Sequence, residues 1–161
     1  MIYILTGAIR TGKTIALLNW IEKREDVDGL LCPDDMNEKR YFLKVKSKEA
    51  FKLEVEAKNE DVIVIGNFQF LKSAFQIAND YLLSIASELE HRYIIVDELG
   101  KLELKNEGLH LSAEKLIPKY MYDDKQHLVL VVRASLHHEI IKHYNISKYL
   151  VLKKEALTTP D

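Results

Sequence analysis

A single cysteine, Cys32, is all that the sequence offers for sulfur crosslinking. No disulfide can close within the chain, and a cytosolic, cytoplasmic setting is expected. No apolar run approaches the roughly 20 residues that cross a bilayer. The amino terminus carries no charged region ahead of an apolar segment and no cleavage site of the secretory kind. Neither sign of charge dominates: 25 acidic residues against 23 basic give a formal charge of −2. Such a balance supplies no broad field for nucleic acid or for an anionic membrane, so neither is favoured as a partner, and no protein partner is read from the chain. Internal repeats and low-complexity segments are absent too. What remains is 161 residues, 47% hydrophobic and 30% charged, a length and mixture that suit one globular domain over 1–161.

Within that ordinary composition one stretch stands out. The apolar run Met1 to Thr6 leads straight into Gly7-Ala8-Ile9-Arg10-Thr11-Gly12-Lys13-Thr14, the G-x-x-x-x-G-K-T pattern of a phosphate-binding loop. A strand ends, glycines at both ends let the loop turn its N–H groups inward, and a helix begins with its positive end facing the same hollow. An unrelated chain of this length would match about once in two hundred. Context narrows that further, because the residues after the loop carry a helical apolar stripe that includes Ile15, Leu18 and Ile21. Residues 7–15, from Gly7 to Ile15, are therefore expected to hold a nucleotide. Lys13 would reach the outer phosphates and the Thr14 hydroxyl would take a place on Mg²⁺.

The chain beyond the loop alternates strands and helices. Asp28-Gly29 reads as a turn, followed by a short buried strand that ends at Pro33. Period-two runs over 41–45 and 51–55 predict a hairpin, with Lys44, Lys46 and Lys48 guarding a sheet edge. A strand over 61–65 is followed by Gly66-Asn67 as a helix cap, and an apolar stripe predicts a helix from about Phe70 to Leu89. Residues 112–122 read as partly helical despite Pro118. Strands over 127–132 and 149–152 flank a short helix over 137–144, and Thr158 to Asp161 are expected to fray. Apolar runs without alternation, separated by helical stripes, predict an α/β fold with a mostly parallel sheet flanked by helices, and ligands at the carboxyl ends of its strands.

At such an end stands Arg92-Tyr93-Ile94-Ile95-Val96-Asp97-Glu98. Two ionised acids where a buried strand ends are expensive unless a cation meets them. Asp97 falls where a magnesium-side acid belongs, and Glu98 could polarise the attacking water. Arg133, directly after the strand 127–132, and Arg10, inside the loop, are rival stabilisers of phosphoryl charge. His138 and His143 are five apart, whereas the zinc-protease helix needs four, so the histidines read as structural. Cys32 reads as a small buried hydrophobe.

The run Val96-Asp97-Glu98-Leu99-Gly100-Lys101-Leu102-Glu103-Leu104 closely resembles the V-D-E-I-G-K-M-E-L signature of the thermostable nucleoside-triphosphatase family, whose human member is called cancer-related nucleoside-triphosphatase. The resemblance extends to the amino-terminal loop, to the hairpin with Arg40-Tyr41-Phe42 and to the strand ending at Arg133. It implies a RecA-like P-loop NTPase fold and slow, Mg²⁺-dependent phosphate release from several nucleoside triphosphates. It also implies the roles given above for Lys13, Thr14, Asp97 and Glu98, and it covers Lys101 and Glu103, a charged pair suited to orienting the catalytic loop. The phosphate loop lacks the family's usual prolines and further glycine, and Pro33-Asp34-Asp35-Met36 departs from the run before the hairpin. A small-molecule kinase and a nucleotide-gated binding module remain alternatives at this point.

Overall fold

The computed structural model describes residues 1–8, 11–56 and 61–158. Its centre is a seven-stranded sheet in the order β4-β3-β2-β7-β8-β1-β9. The strands are β1 (Ile2–Gly7), β2 (Val27–Leu31), β3 (Tyr41–Lys44), β4 (Ala50–Lys52), β7 (Tyr93–Leu99), β8 (His127–Arg133) and β9 (Leu150–Leu152). From β2 to β9 every neighbouring pair is parallel, whereas β3 and β4 add an antiparallel extension. A separate antiparallel pair, β5 (Val62–Ile65) with β6 (Phe68–Leu71), stands apart. Five helices accompany the strands among the described residues: α1 (Lys13–Ile21), α2 (Lys72–Ile85), α3 (Lys101–Leu104), α4 (His110–Tyr120) and α5 (His137–His143). None is long and apolar enough to cross a membrane.

The two faces of the sheet bury different residues because strand side chains alternate. Ile94 and Val96 join Leu82, Leu116 and Ile140 in the larger core on the side of α2, α4 and α5. Ile95, between them, joins Leu5, Leu17, Val129 and Val131 on the side of α1. Continuing the alternation puts Asp97 on the α1 face. The phosphate loop and the second motif thus meet for a reason written in the strand period.

Several elements differ from the sequence expectation. Asp28-Gly29 lies inside β2 rather than in a turn. The strand passes so close to β7 that a side chain at Gly29 would stand 2.2 Å from the Ile95 carbonyl oxygen, and its φ of +130° suits glycine. Gly66-Asn67 turns a two-residue hairpin between β5 and β6 instead of capping a helix, with Gly66 at φ +56°. Helix α2 starts later in consequence and stops at Ile85, leaving Leu89 exposed. Pro118 sits within α4, two residues before its end, so the helix continues past it without the N–H that would have met the Glu114 carbonyl. The lysine row is not an outer edge: β3 is paired on both sides, and Lys44 and Lys46 contact Glu49 and Glu90. Residues 159–161 of the expected frayed end lie outside the described residues.

Candidate active site

The loop after β1 is closed by its own side chains. Lys13 donates from Nζ to the carbonyls of Gly7 at 3.1 Å and Ala8 at 2.8 Å, and Thr11 Oγ1 donates to Ala8 at 2.8 Å. A side chain at Gly7 would crowd Thr11 Oγ1 at 3.2 Å. Gly12 takes φ +87° as the residue ahead of α1, and its carbonyl accepts the first helical bond from Ala16 at 2.9 Å. Lys154, on a 3₁₀ turn spanning Lys154–Thr158, donates to the Thr11 carbonyl. Ile15 is exposed on the helix surface. Ile9 and Arg10 lie outside the described residues.

Thr14 Oγ1 donates to Asp97 Oδ2 at 2.9 Å, which joins the loop to the end of β7. The backbone N–H of Cys32 donates to the same oxygen at 3.1 Å. Burial nonetheless pushes the Asp97 carboxyl up to about 6: those two donors and the Arg40 charge lower it, while neighbouring Glu98 raises it. Burial likewise lowers the Lys13 ammonium, against the opposing pull of Glu98 and Asp97 and with the push of Arg133. One hydroxyl and one buried carboxylate are hard oxygen donors of the kind a small divalent cation takes. No group of three or more His, Cys, Asp or Glu among the described residues is placed to hold a metal, so such a cation would complete its shell with phosphate oxygens and water.

Glu98 leaves the ladder that Asp97 and Leu99 make with β8. Its Oε1 accepts from Arg133 Nε at 2.8 Å, with both side chains about a fifth to a quarter exposed. Arg133 is the last residue of β8 rather than the residue after it, and from that strand end it holds Glu98. Glu103 does a related job for the loop that follows. Its Oε1 accepts from the Gly100 N–H at 2.7 Å and its Oε2 from the Leu109 N–H at 3.2 Å. Gly108, at φ +63°, leaves the room this needs, since a side chain there would stand 2.1 Å from Oε2. Burial drives the Glu103 carboxyl up to about 7 despite these donors. Lys101, at the start of α3, is exposed.

Three contributors were not picked out for the site from the sequence. The Cys32 backbone, Arg40 and Lys154 arrive from segments with no motif of their own, although Arg40-Tyr41-Phe42 carries part of the family resemblance. Hollows beside α4 and α5, and between α2 and the start of α4, are lined by none of these residues.

A family model described as NTPase matches residues 2–156. The crystal structure of THEP1 from the hyperthermophile Aquifex aeolicus is similar in fold, with a TM-score of 0.73 and 18% identity over 95% of this chain and 89% of that one. That likeness agrees with a P-loop NTPase fold. No curated protein matches the sequence significantly.

Proposed function

The chain belongs to the NTPase family, and from that premise we propose that it hydrolyses nucleoside triphosphates to the diphosphate and phosphate with Mg²⁺, slowly and with little preference among bases. The observation that carries the reading is the 2.9 Å contact of Thr14 with Asp97, which sets the phosphate loop against the acid-bearing strand end. Lys13 would give up its two loop carbonyls to bind the outer phosphates. Thr14 and Asp97 would hold Mg²⁺, which when bound neutralises phosphate charge. Glu98, oriented by Arg133, would accept the proton of a water attacking the terminal phosphorus as the bond from that phosphorus to the bridging oxygen breaks.

Phosphate release from ATP, GTP, CTP and UTP, with and without Mg²⁺ and with no acceptor present, tests the proposal. Glu98→Gln should slow release by about a hundredfold or more while leaving nucleotide affinity within about threefold. Turnover that survives this change would remove Glu98 from the reaction. Transfer only to an added acceptor would favour a kinase instead.

A further inference from the structure

Four cations reach the described part of the phosphate-loop rim, and three of them are directly engaged. Lys13 bonds two loop carbonyls, Lys154 bonds the Thr11 carbonyl and Arg133 bonds Glu98. The fourth, Arg40, differs. Its backbone is fixed where β2 ends: it bridges Asp34 at the head of β3, its carbonyl accepts from the Glu54 N–H at 3.0 Å, and the next residue's N–H donates to Pro33 at 3.1 Å. That places it beside Cys32, whose N–H holds Asp97. The half-buried guanidinium, however, makes no hydrogen bond and no ion pair among the described residues. Burial alone would lower its pKa, yet the fields of Cys32, Glu98, Asp34 and Asp97 together raise it. None of its nitrogens is sealed from solvent, so a cation anchored by its backbone where β2 ends keeps five donors open to the oxygens of a ligand. The terminal phosphoryl group, bound between Lys13 and Asp97, would bring three acceptor oxygens to that side.

We propose that Arg40 is a further catalytic residue, the guanidinium that meets the terminal phosphoryl oxygens, while Arg133 serves as the positioning residue for Glu98. The proposal rests on the hydrolase reading above and adds to it a sensor of the third phosphate. An arginine in this role contributes mainly as charge passes to the phosphoryl oxygens, so its loss falls on turnover and on the third phosphate rather than on the diphosphate.

The test compares wild type, Arg40→Ala and Arg40→Lys in three measurements: Mg-ADP affinity, affinity for an ATP analogue with a non-hydrolysable β–γ bridge, and phosphate release from MgATP. Both variants should bind ADP within about twofold of wild type, bind the analogue about tenfold or more weakly, and release phosphate about a hundredfold or more slowly. Equal weakening for ADP and analogue would make Arg40 a structural counter-charge and overturn the proposal. So would phosphate release within about threefold of wild type. If Arg40→Ala fails to fold, Arg40→Lys decides, because it keeps the charge and loses the planar fork. Should wild type release no phosphate from any triphosphate, the hydrolase reading fails by itself. The ADP-against-analogue split would then still support Arg40 as the third-phosphate contact, and its absence would overturn that contact.

Discussion

Cys32 shows how one position can be read correctly for its chemistry and incompletely for its part in the site. A lone cysteine in a short apolar run reads as a buried hydrophobe; the structure leaves it partly buried against the larger core, and desolvation, with Asp97 adding to it, pushes its thiol well above the ordinary range. What no motif announces is that its backbone N–H holds Asp97. The thiol should therefore react with iodoacetamide at pH 8 about a hundredfold more slowly than in the urea-unfolded chain, followed by mass spectrometry. Labelling at the unfolded rate would show an open thiol. The phosphate-loop residues were legible because a loop and its helix form one continuous stretch. Asp97 was legible because a strand period and a rule about strand ends located it. The contacts of Arg133 with Glu98 and of Lys154 with Thr11 were not, since they join residues 35 and 143 positions apart.

Among the elements, the short helix α3 matters most to the site, and sequence periodicity could not find a four-residue turn. Only the family resemblance drew attention to Glu103, whose carboxylate ties the start of α3 to the start of α4. A carboxyl whose pKa rises from 4.5 unfolded to about 7 folded binds more protons in the folded state. Its contribution is then greatest below pH 4.5 and is lost as pH rises towards 7. In urea titrations, the stability of wild type minus that of Glu103→Gln should fall by up to about 3 kcal/mol across this window. A flat or rising difference would show that the clamp works as an ordinary carboxylate. The elements misread from sequence share one cause. Gly66-Asn67 can open a helix or turn a hairpin, and only the pairing of β5 with β6 decides. Asp28-Gly29 looks like a turn until the close approach of β7 explains the glycine.

At the scale of the molecule, the parallel core from β2 to β9 gathers the ends of β1, β2, β7 and β8 on one rim, and every candidate site residue discussed above comes from that rim or the loops beside it. Alternating apolar runs and helical stripes made the parallel core legible. Strand order was not, because it depends on which buried faces match across the sheet rather than on any one segment. The final 3₁₀ turn packs on α1 and its Lys154 holds the loop at Thr11. If bound nucleotide draws the loop inward, the pull passes through this contact to a segment at the other end of the sequence. A dye attached through Glu155→Cys in a Cys32→Ser background should change its emission on adding MgATP and lose that response in Lys154→Ala, as read by fluorescence titration. An emission unaffected by nucleotide would disprove the linkage. With the response seen, the segment after β9 would work like the needle of a gauge, reporting at the periphery whether the phosphate cradle is full.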